Sequence, residues 1–126
     1  MNPRQEYKKL INSFKYAIEG IISSFKTERN MKIHVLAMIV VIALGLFFKL
    51  NKVEWCFIII AIASVISAEL FNTAIETVVD MVSPERNPKA KLAKDIAAGA
   101  VLVVAIGAAI IGFIIFGPKI INVFSK

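Results

Sequence analysis

From Ile96 to Phe116 the chain runs twenty-one residues without a charge. A helix that crosses a bilayer needs about 20 such residues, and a helix apolar on every side has to be buried in protein or in lipid. Two more runs share this character. Ile33 to Phe48 carries no charge, and Val53 to Ala68 carries only Glu54, at its mouth. Together they raise the hydrophobic share of the 126 residues to 58%, above the roughly 45–50% of soluble domains. The second run reaches membrane length only if it continues through the polar stretch that follows, to Asp80. The pattern predicts an all-α membrane protein in a single domain, residues 1–126, with transmembrane helices over about 33–50, 53–80 and 96–117.

Residues 4–27 have a different rhythm. Tyr7, Phe14 and Ile21 recur every seven positions, as do Ile11, Ile18 and Phe25, while Lys8, Asn12, Lys15, Glu19, Ser23 and Lys26 form the opposite face. That periodicity predicts an amphipathic helix, and its basic polar face suits a helix lying on the inner leaflet. The first 30 residues lack the short apolar core and cleavage site of a secretory signal.

Charge sets the orientation. Of fifteen basic residues, eleven stand before the first run or between the second and third. Positive charge marks the cytoplasmic side. The N-terminus and the second loop are therefore expected in the cytoplasm, the C-terminus outside, and the whole in a bacterial plasma membrane. The basic residues flank membrane spans and have no fold of their own, so nucleic acid is not the expected partner. The single Cys56 excludes an internal disulfide and reads as a small apolar residue near a helix end. Phe47, Phe48 and Trp55 read as an interfacial aromatic belt around a tight outer turn. Ser83 to Lys91, with Pro84 and Pro88, reads as the cytoplasmic loop. Ala105, Ala108, Ala109 and Gly112 have the small-residue spacing that lets helices pack closely.

The polar stretch is "AELFNTAIETVVD", Ala68 to Asp80. On a helix Glu69, Asn72, Glu76 and Asp80 fall at about 0°, 300°, 340° and 20°, a single stripe roughly 80° wide. Acids in hydrocarbon are expensive, so the stripe is expected to face the bundle or a water-filled pocket. Glu69 lies sixteen residues after Val53, about 24 Å at 1.5 Å per residue, against a hydrocarbon thickness of about 30 Å. The acids thus belong at the level of the inner-leaflet head groups, where Glu28, Lys94 and Asp95 are expected too. Carboxylates gathered with a lysine suit a magnesium nucleotide, since Mg²⁺ takes one or two carboxylates plus phosphate oxygens. A carboxylate beside a lipid hydroxyl suits a general base. There is no Gly-rich phosphate loop. On chemistry alone, phosphoryl transfer, an ion or proton path and polar helix pairing all remain open. A conductor, however, needs polar residues through the whole membrane, and here they gather at one end.

"ELFNTAIETVVD" resembles the signature of the small bacterial integral-membrane lipid kinases, the prokaryotic diacylglycerol kinase and undecaprenol kinase family. "AKD" at Ala93 to Asp95, Glu28 just before the first span and the three-span layout resemble it as well. The resemblance implies a homotrimeric helical bundle with sites shared between subunits, acting on ATP, with Mg²⁺, and on a lipid alcohol. It implies that Glu69 is the catalytic base, that Asn72 positions Glu69 or the acceptor, and that Glu28 and Glu76 hold Mg²⁺. Lys94 would contact phosphate and Asp95 the adenine or ribose side. Tyr16, Asp80, Glu85, Arg86 and Asn87 complete the nucleotide-binding set, although many members have Tyr-His where this chain has Arg86-Asn87. Ser24 to His34 and Ala90 to Val104 look like the Gram-positive branch, which implies undecaprenol as acceptor, with diacylglycerol the alternative. His34 reads either as an interfacial polar residue or, being typical of that branch, as one that touches the site. Three spans in so short a chain are expected to leave the acidic stripe uncovered, so that a second subunit has to enclose it.

Overall fold

The computed structural model describes all 126 residues and contains four helices: α1 Pro3–Thr27, α2 Arg29–Phe47, α3 Lys52–Val82 and α4 Pro88–Phe124. The last three are long and apolar enough to cross a membrane. At 1.5 Å per residue, 31 and 37 residues make α3 and α4 about 46 and 55 Å long, so both outreach a hydrocarbon layer of about 30 Å. Only 13 of the 126 residues are buried, while apolar side chains such as Ile59, Ile60, Val103 and Phe113 stand exposed along the three long helices. In water such a surface would associate; facing lipid tails, it needs no cover.

Each boundary has a local cause. Asn2 accepts from the Arg4 N–H at 3.3 Å, the Gln5 side chain accepts from the Asn2 N–H, and Pro3 fills the first turn, where no backbone donor is needed. The break between α1 and α2 is a single residue, Glu28, in extended conformation (φ −100°, ψ 119°). It lets α1 contact both α2 and α3.

The turn from α2 to α3 is compact. Lys49 adopts a left-handed φ of 52°. The Lys49 N–H donates to the Leu46 carbonyl and the Leu50 N–H to that of Gly45, the paired bonds of a Schellman ending. Gly45 is required there: a Cβ on it would lie 2.6 Å from the Trp55 ring. Phe48 and Trp55 do more than mark an interface. Both pack against the buried cluster of Leu50, Ile58, Ile115 and Phe116, and only Phe47 remains freely exposed. Asn51 and Glu54 form a capping box that opens α3. Glu54 also meets Lys119 Nζ at 3.1 Å, fastening the start of α3 to the last turns of α4.

The loop between α3 and α4 is shorter than the sequence suggests. Only Ser83–Asn87 is non-helical. Pro88 starts α4 with Asn87 as its cap, the Lys89 N–H donating to Asn87 Oδ1 at 2.8 Å. A proline in the first helical turn has no N–H to leave unpaired, so Lys89, Lys91, Lys94 and Asp95 ride on helix. At its other end α4 continues through Pro118 to Phe124.

Candidate active site

The buried face of α3 reads Ile58, Ala61, Val65, Glu69, Asn72. The same stripe that packs the membrane helices therefore carries the acids inward. Glu69 is 2% exposed and Asn72 6%, Glu76 is half-buried and Asp80 is open to solvent. Burial thus falls off along the stripe toward the C-terminal end of α3.

A second subunit is not needed to hide Glu69. The break at Glu28 folds the end of α1 against α3, where the buried Ser24 hydroxyl lies 3.3 Å from that of Thr73. Thr73 in turn donates to the Glu69 carbonyl at 2.9 Å. Glu69 is thus buried within one chain, while Glu76 and Asp80 farther along the stripe keep exposed surface.

Of the two readings the sequence allows for His34, the structure selects the contact with the site. From α2 its Nε2 lies 3.1 Å from Glu69 Oε1, so it belongs to the interior of the bundle. A lone imidazole in an otherwise uncharged run was the available signal, since polar groups at that depth face inward.

Asn72 Nδ2 donates to Glu76 Oε1 at 3.3 Å, which leaves Asn72 Oδ1 buried without a partner. A buried acceptor left unpaired costs roughly 1–3 kcal/mol. Beside a carboxylate on the next turn, it is an oxygen set suited to a hard cation or a donated proton. No three acidic, histidine or cysteine side chains gather into a metal cluster within the chain. Glu28 stands half-buried at the α1–α2 junction. Tyr16 is exposed two turns before Ser24 and makes no side-chain bond to the site.

Two recesses flank the buried acids. Around the loop between α3 and α4, Asp80, Glu85, Arg86, Asn87, Lys91, Lys94 and Asp95 line an open, polar recess of about 810 Å³. Within it Lys94 donates to Asp80 Oδ1 at 2.5 Å, joining α4 to α3, and Lys91 to Asp95 Oδ2 at 2.6 Å. The other recess is an apolar cleft of about 160 Å³ between α2, α3 and α4. Ala37, Met38, Ile62, Val65, Ala105, Ala108 and Gly112 are among its walls, and His34 is its only polar residue. The small residues of α4 thus leave a space between helices rather than closing one. Glu69 and Asp80 are eleven residues apart on α3, about 16 Å along its axis, with Glu76 between them.

The sequence model of a family described as prokaryotic diacylglycerol kinase matches residues 15–116. The chain is 43% identical over 117 residues to the undecaprenol kinase of Bacillus subtilis (strain 168), covering 93% of this chain and 95% of that protein. It is 37% identical over 122 residues to the diacylglycerol kinase of Synechocystis sp., covering 96% and 70%. Over 86 residues it is 37% identical to the diacylglycerol kinase of Haemophilus influenzae, covering 68% and 73%.

Proposed function

Since the chain belongs to the prokaryotic diacylglycerol kinase family, we propose that it moves the γ-phosphoryl group of ATP to the hydroxyl of a membrane lipid, with undecaprenol as the preferred acceptor. One observation carries the reading: Glu69 and Asn72, buried on α3, lie between an apolar cleft and a polar recess. A lipid chain enters the first, a nucleotide the second. Undecaprenol brings one hydroxyl on a wholly apolar chain, and a cleft with a single polar residue suits it. The two esters of diacylglycerol would want donors there, and their loss on burial costs roughly 1–3 kcal/mol for each unpaired acceptor. The 43% identity to an undecaprenol kinase supports the same acceptor.

In this reading Glu69 is the base for the hydroxyl proton, and Asn72 holds the reacting groups in register. Asp80, Glu85, Arg86, Asn87, Lys94 and Asp95 bind the nucleotide, with Tyr16 reaching it from α1. Lys94 exchanges Asp80 for phosphate when ATP arrives. Glu28 and Glu76 hold Mg²⁺, which when bound neutralises charge on the phosphates. Phosphoryl transfer is then a matter of placing an alcohol in line with a phosphorus and stabilising the charge that spreads over its oxygens. The loop at Ser83–Asn87 and the N-terminus face the cytoplasm, where ATP is found, α1 lies on the inner leaflet, and the working unit is a homotrimer.

The test is transfer of labelled γ-phosphate from ATP to undecaprenol and to diacylglycerol, side by side in mixed micelles at matched mole fraction. A higher kcat/KM for undecaprenol is expected. A tenfold advantage for diacylglycerol overturns the acceptor, and transfer to neither overturns the function.

A further inference from the structure

An alcohol that travels along the apolar cleft meets His34, because the imidazole lines that cleft and the Glu69 carboxylate does not. The His34 side chain is 23% exposed and that of Glu69 2%, with Nε2 and Oε1 3.1 Å apart. Two lone pairs would repel at that distance, so a proton lies between the two groups. An ionised carboxylate sealed from water needs such a partner. With Nε2–H turned to Glu69, the lone pair left on the ring is that of Nδ1.

From these contacts we infer that His34 is a catalytic residue, through which the proton of the acceptor hydroxyl reaches Glu69. This rests on the reading of the cleft as the lipid-alcohol site. In the step, the alcohol O–H bond breaks and its proton goes to Nδ1. The alcohol oxygen forms a bond to the γ-phosphorus, and the bond from that phosphorus to the bridging oxygen breaks, releasing ADP. The Nε2 proton passes to Glu69 Oε1, so that His34 ends neutral and Glu69 protonated until solvent takes the proton. The direction is physically sound: the resting pair is a buried anion, and arrival of a proton removes its net charge. The rest of the cleft offers no competing base, since its α3 and α4 walls are aliphatic or glycine.

Glutamine separates this role from a purely structural one, because its amide keeps a donor near the position of Nε2 but has no basic nitrogen. We expect His34→Gln and His34→Ala to lower kcat alike, by about 10²-fold, with KM for ATP little changed. Glu69→Gln combined with His34→Gln should be no slower than the slower single variant, as for groups that act as a unit. Near-normal kcat in His34→Gln, or multiplying losses in the double variant, would overturn the inference. Wild-type enzyme that phosphorylates no lipid alcohol removes the underlying reading instead, so the two failures are distinct.

The unsubstituted protein gives a second test, independent of whether variants fold. The chain has one histidine, so imidazole ¹⁵N signals report on His34 alone. Adding undecaprenol to the protein in micelles should move them, while ATP alone should not. Signals unmoved by saturating undecaprenol overturn the inference.

Discussion

The hydroxyls of Ser24 and Thr73 lie 3.3 Å apart, and this contact joins the end of α1 to α3 one turn from Glu69. Ser24 is 4% exposed and the only buried residue of α1, so the whole helix is held by its last turns. Ser24→Ala removes one neutral hydrogen bond, worth about 1 kcal/mol. Ser24→Leu puts a bulky side chain where there is no room, and overpacking costs roughly 1–3 kcal/mol. Thermal unfolding in micelles should show a small loss for alanine and a larger one for leucine. Because Glu28 follows four residues later, activity should fall more steeply than stability. Unchanged activity in the leucine variant would mean that docking of α1 does not position Glu28.

Glu69→Gln keeps the size of the side chain and its capacity for hydrogen bonds but cannot take a proton. Turnover should drop by about 10²-fold or more, while ATP binding survives, since Glu69 lies outside the polar recess. Measuring kcat alongside nucleotide affinity decides it. Near-normal turnover in a well-folded preparation would sink the base assignment.

The orphaned acceptor of Asn72 gives the metal prediction a structural handle. Glu28→Gln and Glu76→Gln should each raise the Mg²⁺ concentration needed for half-maximal activity, and excess Mg²⁺ should partly restore turnover. Asn72→Leu, which removes both the bond to Glu76 and the unpaired Oδ1, should lower kcat without weakening the fold by more than about 1 kcal/mol, since that acceptor already goes unsatisfied. A Mg²⁺ dependence identical to wild type in both glutamine variants would refute the metal role.

The sequence discloses some of this arrangement and conceals the rest, for identifiable reasons. Membrane-length helices are legible because a charge-free run of about 20 residues has few other folded states. The inward stripe of Glu69, Asn72 and Glu76 is legible because helical geometry alone puts it on one face. The pairing of His34 with Glu69 is not, because it depends on the register between α2 and α3. The left-handed turn at Lys49 helps to set that register, and a lysine there gives no hint of it, since glycine is the usual occupant. The early start of α4 is hidden for a related reason: proline both breaks helices and begins them, and Asn87 as a cap decides for the second at Pro88. The docking of the end of α1 against α3 at Thr73 rests on one extended residue, Glu28, with neither glycine nor proline to announce it.

Orientation is testable with cysteines, because the native Cys56 is single and replaceable. In a Cys56→Ala background, Ser125→Cys should react with an impermeant thiol reagent added outside intact cells. Lys89→Cys, exposed at the start of α4, should react only after the membrane is opened. The reverse pattern would place the polar recess away from cytoplasmic ATP and overturn the proposed topology.

The cleft itself offers the most direct test of how the acceptor is chosen. A Cβ built on Gly112 meets nothing within 4 Å, although the residue lines the cleft. Gly112→Leu should therefore fill the space without straining the backbone, and replacing a helix-interior glycine adds about 0.5–1 kcal/mol of helix stability. From His34 on α2 the cleft leads away from the acids toward Gly112 on α4, so the obstruction lies along the lipid chain, far from the reacting hydroxyl. Undecaprenol, which needs the full length, should show a several-fold higher KM in this variant. A short-chain prenol, whose tail ends before Gly112, should be phosphorylated as in the wild type, and the KM for ATP should not move. Comparing the two acceptors in one preparation makes loss of folding visible, since it would lower both. Equal effects on the long and short prenols would show that the chain runs elsewhere, along the lipid-facing surface of the helices, and that the cleft does not select the acceptor.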